Sequence, residues 1–175
     1  MTSKQKEYYE KTKTRDLAIV TLLLGTGLRV SECVGLDIDD VDFDVNGVRV
    51  LRKGSKEMIV YFGEEVAQAL KNYIEERKQM PAKEGSENAL FLSLQGKRIG
   101  VRAVQNLVAK YSKTSVKLKH ITPHKLRSTY GTSLYQETGD IYLVADVLGH
   151  ADVNTTKKHY AEIETGHRRS AAKYI

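Results

Sequence analysis

The chain has few of the residues that support disulfide, metal-cluster or membrane architectures. Its 175 residues include two prolines, no tryptophan and one cysteine, Cys33. A lone thiol cannot form an internal disulfide, and without clustered Cys and His residues a structural zinc site is not expected. The longest apolar stretch, residues 17–24, is far shorter than the roughly 20 residues that span a bilayer. Residues 1–15 are polar and rich in lysine, which is not typical of a secretion signal.

These absences favour a cytoplasmic protein without a membrane partner. The length allows one good-sized hydrophobic core, and 41% hydrophobic with 29% charged residues is ordinary for a globular domain. The net charge is +6, which favours an anionic partner such as nucleic acid. We therefore expect one compact unit whose surface suits a polyanion.

Hydrophobic periodicity predicts an α+β domain, mainly α, with a small three-stranded antiparallel sheet. Apolar residues at helical spacing predict helices over residues 15–26, 64–78, 100–111, 124–135, 141–148 and 153–161. Ser31 is expected to cap a further short helix that ends near residue 36. Alternating patterns predict strands over residues 41–45, 48–52 and 57–61, with Asn46-Gly47 as the turn between the first two.

Six polar residues form a set that could cleave a phosphodiester without a metal. They are Arg29, Lys53, His124, Arg127, His150 and Tyr160. Taken singly, each is most often a surface, capping or core residue. Together, two guanidiniums can hold the non-bridging oxygens and stabilise the transition state. An imidazole can take the proton of a phenol whose pKa is about 10, and an amine can protonate the departing alkoxide.

The order and context of these residues resemble a known family. They lie in Thr-Gly-Leu-Arg-Val-Ser-Glu, in Thr-Pro-His-Lys-Leu-Arg-Ser-Thr and in Val-Leu-Gly-His-Ala-Asp-Val-Asn-Thr-Thr, with Tyr160 following. Over residues 16–161 the chain resembles the catalytic domain of tyrosine recombinases, which include phage integrases, Xer-type recombinases and integrases of conjugative transposons. The resemblance implies the DNA breaking-rejoining enzyme fold and site-specific cleavage and rejoining of DNA without metal or cofactor.

The resemblance also implies a role for each residue. Arg29 and Arg127 are expected to clamp the phosphate, His124 to act in acid–base catalysis, and His150 to buttress the phosphate or the nucleophile. Glu32 matches an acidic residue that supports the site.

Three lysines are expected at the DNA. Lys53 matches the lysine that contacts DNA and protonates the leaving 5′ hydroxyl, with Lys56 as its nearest competitor for that role. Lys125 is expected to bind DNA beside the acid–base histidine.

Tyr160 is the expected nucleophile, which would form a 3′-phosphotyrosyl bond. It lies ten residues after His150, one more than in many relatives, and His159 occupies the position expected from the shorter spacing. An imidazole is an improbable nucleophile for this reaction, so Tyr160 is preferred. Tyr130 and Tyr142 are expected to be core residues.

The resemblance implies a division of the chain and a set of partners. Residues 1–14 are expected to be a linker from an absent N-terminal core-binding domain, residues 15–161 the catalytic domain, and residues 162–175 a tail available for docking in trans. Double-stranded DNA is the expected partner. The full-length protein is expected to form a tetramer on DNA, and this fragment a monomer.

Three alternative functions are also considered from the sequence. A type IB topoisomerase-like enzyme would share the chemistry but relax supercoils as a monomer. A non-catalytic DNA-binding module would explain the charge but not the six-residue set. A metal-dependent nuclease is disfavoured because the acidic residues have no second carboxylate cluster to complete a two-metal site; they are Asp37, Asp39, Asp40, Asp42 and Asp44.

Overall fold

The computed structural model describes residues 2–52, 54–113, 122–150, 154, 156 and 157. The helices are α1 Ser3–Thr26, α2 Val30–Val34, α3 Glu64–Arg77, α4 Val101–Lys113, α5 Pro123–Thr138 and α6 Ile141–Leu148. The strands are β1 Val41–Asp42, β2 Gly47–Arg52 and β3 Lys56–Tyr61, and they form one antiparallel sheet in the order β1-β2-β3. The predicted class, mainly helical with a three-stranded antiparallel sheet, is confirmed.

The first helix is longer than its apolar pattern indicates. The predicted start at residue 15 is wrong, because α1 begins at Ser3. A capping box between Thr2 and Gln5 satisfies the first backbone amides, and Glu7 forms an ion pair with Lys11 at 2.7 Å. Capping and charge pairing therefore extend the helix through a segment that has no apolar stripe.

The sheet differs from its prediction at the first turn. Asn46-Gly47 is not a two-residue turn, because Gly47 already pairs with Tyr61 in the sheet. The chain between β1 and β2 spans residues 43–46, with Asn46 at φ 52° and the Asp42 carboxylate accepting a hydrogen bond from the Asp44 amide at 2.8 Å. Asparagine tolerates this left-handed conformation. The predicted strand over residues 41–45 therefore ends at Asp42.

The main hydrophobic core lies between α1, α3, α4 and the sheet. Ile19 and Leu22 of α1 are fully buried in it with Leu70 of α3. A separate, smaller cluster of buried residues belongs to α5 and α6, and its members are Tyr135, Ile141, Val144 and Leu148. Among the described residues, the core is thus divided into two hydrophobic clusters of unequal size.

The buried Arg77 stabilises the loop that follows α3. In the loop after α3, the carbonyls of Ala89 and Glu87 accept hydrogen bonds from Arg77, at 3.0 and 2.9 Å. Arg77 is buried, so these bonds satisfy its guanidinium where water cannot.

Within the described residues, no helix is both long and apolar enough to cross a membrane.

Candidate active site

Arg29 lies in the sharp turn between α1 and α2. Helix α1 ends at Gly27, which adopts the left-handed conformation at φ 67°, and Arg29 is the N-cap of α2, so the prediction that Ser31 caps this helix is wrong. The Arg29 amide donates to Glu32 Oε1 at 2.8 Å, and Arg29 Nη1 lies 3.5 Å from Glu32 Oε2. The Arg29 side chain is 40% exposed and that of Glu32 only 6%. A buried carboxylate therefore orients an accessible guanidinium.

Arg127 lies on α5, one helical turn after the start of that helix. Thr122 caps the helix by accepting a hydrogen bond from the Lys125 amide at 3.1 Å. His124 and Lys125 are exposed in this first turn, whereas Arg127 is buried. Its Nη1 donates to the Gly27 carbonyl at 2.5 Å and its Nη2 donates to the Leu148 carbonyl. Arg127 thereby ties the ends of α1 and α6 together.

His150 follows the left-handed C-cap of α6. Gly149 has φ 72°, and the amide of His150 donates to the Ala145 carbonyl at 2.9 Å. The His150 Nδ1 atom lies 2.5 Å from Thr156 Oγ1, and Thr156 is fully buried. A buried hydroxyl therefore fixes the orientation of the imidazole ring. Thr156 ends the motif that carries His150, but the motif alone predicted no role for it.

Arg52 is a member of this cluster that the sequence analysis missed. It ends β2 on the inward face of the sheet, in register with the buried Val48 and Val50. Its Nε lies 3.1 Å from Glu32 Oε2. A Cβ atom added to Gly149 would fall 2.7 Å from Arg52 Cδ. The alternation of β2 could have identified it, because an arginine at an inward-facing strand position needs an internal partner.

The electrostatics of the cluster are dominated by positive charge. Burial is the main cause that lowers the pKa of Arg52, and the neighbouring charge of Arg29 lowers it further. The carboxylates of Glu32 and Asp146 act in the opposite direction. One buried carboxylate thus faces two guanidiniums, which leaves a net positive field at the site.

Three further residues of the predicted site lie outside the described residues, and Lys56 pairs with Arg52 across the sheet. Lys53, Tyr160 and His159 lie outside the described residues, as does most of the predicted helix over residues 153–161. Lys56 is exposed at the start of β3.

The prediction that Tyr142 is a core residue is wrong. Its side chain is 65% exposed, because the buried side of α6 carries Ile141, Val144 and Leu148 at helical spacing. Lys157 Nζ lies 5.7 Å from the centroid of the Tyr142 ring. Tyr130 is half-buried against the smaller hydrophobic cluster, and burial raises its pKa.

Two of the acidic residues near β1 form ion pairs with arginines. Asp37 pairs with Arg98 at 2.5 Å and Asp40 with Arg49 at 3.2 Å. Among the residues that the structure describes, no three His, Cys, Asp or Glu side chains are grouped so as to hold a metal ion.

The fold and the cluster together define a class of protein. A mainly helical α+β domain that gathers arginines and a fixed imidazole at one junction has a binding site suited to phosphate oxygens. The chain belongs to the phage integrase family, whose pattern its residues 2–167 match. The resemblance drawn from the motifs is confirmed.

Curated relatives support the same family. The chain is 40% identical over 148 residues to the tyrosine recombinase XerC of Corynebacterium glutamicum, covering 85% of this chain and 47% of that protein. It is 35% identical over 173 residues to XerC of Actinobacillus pleuropneumoniae, covering 94% of this chain and 56% of the relative. The chain thus spans about half the length of these relatives.

Solved structures share the fold. The XerA recombinase superimposes with a TM-score of 0.77 at 31% identity, covering 96% of this chain and 64% of that one. The Tn1549 transposon integrase in complex with transposon right end DNA gives 0.71 at 27% identity, covering 100% of this chain and 65% of that one. The XerH recombinase, at 22% identity and a TM-score of 0.80, shows the likeness of fold alone; it covers 99% of this chain and 48% of that one.

Proposed function

We propose that this chain is the catalytic domain of a site-specific DNA recombinase that cleaves and rejoins strands through Tyr160. The observation that carries the proposal is the meeting of Arg29, Arg127 and His150 at one junction, held by contacts from α1, α5 and α6. These residues are far apart in sequence, and their convergence provides the charge and the geometry that bind a phosphodiester.

The chemistry follows from the groups at the site. The Tyr160 oxygen attacks the phosphorus, an O–P bond forms, and the bond to the 5′ oxygen breaks. The phenolic proton passes to a base, for which the exposed His124 is the candidate, and Lys53 returns a proton to the departing 5′ oxygen. Arg29 and Arg127 stabilise the charge on the non-bridging oxygens, and His150 donates to one of them. The 3′-phosphotyrosyl bond conserves the free energy of the cleaved phosphodiester bond, so that a 5′ hydroxyl can attack it and rejoin the strand.

The partner and the outcome of the reaction are part of the same proposal. The Tn1549 integrase was solved with transposon DNA, which supports double-stranded DNA as the partner here. The named relatives are recombinases, which favours strand exchange over the relaxation of a type IB topoisomerase. In the intact protein we propose a tetramer on DNA in the cytoplasm, and for this chain alone a monomer. Lys53, Lys56 and Lys125 would contact the backbone, so binding should weaken steeply with salt.

We also propose a division of the chain. Residues 15–161 would be the catalytic domain, preceded by a linker from a core-binding domain over residues 1–14. Helix α1 crosses this boundary without a break, so the linker would enter the domain as a helix. Residues 162–175 would form a tail for docking onto a neighbouring protomer.

A nicked suicide duplex tests the proposal directly. The chain is incubated with the duplex in EDTA, and a denaturing gel detects protein joined to DNA. Wild type should form the adduct, and Tyr160→Phe should form none. Tyr142→Phe is the matched control, because Tyr142 is the exposed tyrosine of α6 and should leave the adduct unchanged.

Two outcomes would overturn parts of the proposal. An adduct that persists in Tyr160→Phe would show that another residue is the nucleophile, and His159→Gln would then test the shorter spacing. Cleavage that needs a divalent metal and leaves no protein on the DNA would reject the reaction class.

A further inference from the structure

Arg52 is a buried cation with few partners. Its side chain is 6% exposed, and its Nε, Nη1 and Nη2 atoms donate no hydrogen bond to any residue within the described ranges. The contact with Glu32 is an ion pair that lacks hydrogen-bond alignment. A buried charge of this kind costs stability unless something else favours it. The fold therefore keeps an arginine here at a cost that stability alone does not explain.

The first group that Arg52 contacts is the carboxylate that orients Arg29. Glu32 Oε2 lies 3.1 Å from Arg52 Nε and 3.5 Å from Arg29 Nη1. Because Arg52 shares this oxygen, Glu32 cannot neutralise Arg29 completely. If Arg52 were lost, Glu32 would pair with Arg29 alone, and the exposed guanidinium would offer less charge to a bound phosphate.

The second group that Arg52 contacts is the backbone that carries His150. A Cβ atom on Gly149 would overlap the guanidinium, with Arg52 Cζ only 2.8 Å away. The guanidinium therefore packs across the Cα atom of Gly149, directly before His150. On another side of the same turn, Arg127 holds the Leu148 carbonyl. The turn is thus fixed by two arginines from different elements.

We propose that Arg52 is a positioning residue for this site, setting the charge of Arg29 through Glu32 and the place of His150 through Gly149. The inference rests on the proposed function, since both residues act on the same phosphate. Arg52 itself does not touch DNA, because its nitrogen atoms are shielded from solvent.

Arg52→Met tests the charge contribution. It keeps an unbranched side chain as far as the position of Nε and removes the rest of the guanidinium with its positive charge. The readouts are the single-turnover rate of adduct formation on the nicked duplex at saturating protein and, separately, the Kd for the duplex. We expect the rate to fall about 10- to 100-fold with Kd changed less than about threefold, because the interaction that is lost matters most in the transition state. Arg52→Lys restores the charge. It should therefore recover at least about a third of the fall in the rate of adduct formation, when the rates are compared as logarithms.

The matched control is Arg49→Met, on the same strand but 51% exposed. It should leave both readouts unchanged, and the thermal midpoint of each variant confirms that it is folded. A folded Arg52→Met variant that forms adduct at the wild-type rate would overturn the inference and leave the proposed function intact. No adduct from wild type would overturn both.

A pair of substitutions tests the contact with Gly149 separately from the charge. Gly149→Ala adds a methyl group against the guanidinium and should slow adduct formation. In an Arg52→Ser background the methyl group meets no guanidinium, so the slowing caused by Gly149→Ala should shrink at least about fivefold. Equal slowing in both backgrounds would show that Arg52 does not act through this turn.

Discussion

The two regions that meet at the site are held together in different ways. The first region, residues 3–113, is built around the main core, in which α1, α3, α4 and the sheet bury one continuous set of apolar side chains. The second region, residues 122–150, has the small cluster of α5 and α6 and inserts Leu126 into the main core. Because a pair of helices with so little buried apolar surface is only marginally stable alone, the second region depends on its junction with the first.

Part of that junction consists of contacts made by buried arginines of the site. Arg127 bonds to the Gly27 carbonyl, and Arg52 packs on Gly149. Binding a phosphate would engage Arg127, which is one of the two arginines that join the regions. Stability and function are therefore coupled at the junction and separable in the parts of the first region that lie away from it.

The largest effect is expected from Arg127→Met. It removes two hydrogen bonds from a charged donor to the carbonyls of Gly27 and Leu148, which should lower the free energy of unfolding by about 3 kcal/mol. It also removes a charge that we propose stabilises the transition state, so adduct formation should fall about 10²- to 10³-fold in the folded fraction. Urea denaturation and the suicide-duplex assay measure the two effects.

Arg77→Met is the control for this comparison. Arg77 is as buried as Arg127 and also donates to two backbone carbonyls, but it lies entirely within the first region. It should lose a similar amount of stability and keep the wild-type rate per folded molecule. A comparable loss of rate in Arg77→Met would mean that the regions do not differ in the way proposed.

A smaller effect is expected from Gly27→Ala, which tests the packing of the junction. A Cβ at Gly27 would collide with the Tyr130 ring, and the residue has φ 67°. The backbone conformation costs about 1 kcal/mol and the overlap about 1–3 kcal/mol more. Gly139→Ala has nearly the same φ, 64°, with nothing within 4 Å, so it should lose only about 1 kcal/mol. Equal losses of unfolding free energy would show that the junction is loosely packed.

Features that depend on neighbouring residues in the sequence were predicted correctly. Helices α3 and α6 were predicted to within one residue because their apolar residues recur at helical spacing and their ends are marked by charge or glycine. The motif order also indicated Arg29 and Glu32 together, and the structure finds them in contact.

Contacts between residues that are distant in sequence could not be predicted, nor could burial that depends on the tertiary fold. Arg52 contacts Glu32 and Gly149, and neither contact can be read from neighbouring residues. The buried environment of Arg127, which bonds to carbonyls at 100 and 21 residues' separation, is equally a product of the tertiary fold. The exposure of Tyr142 follows from which side of α6 is buried, and the apolar character of that helix obscured it.

The smallest effect concerns Cys33, a reporter within the first region. It is fully buried, and burial raises the pKa of its thiol to about 12. Because the pKa is raised on folding, the contribution to stability is complete below the unfolded pKa near 9 and decreases as the pH rises from about 9 towards 12. At pH 10 this loss is on the order of 1 kcal/mol, and Cys33→Ala should lack it in urea denaturation.

The same thiol distinguishes opening of the two regions. At neutral pH a thiol reagent should label Cys33 only when the first region opens, since a buried thiol is inert. Gly27→Ala should speed amide exchange in α6 at least about tenfold while speeding Cys33 labelling much less, because it weakens the junction and leaves the main core in place. If both rates increased by the same factor, the two regions would unfold as one unit, and the difference between them would lie only in the chemistry of their arginines.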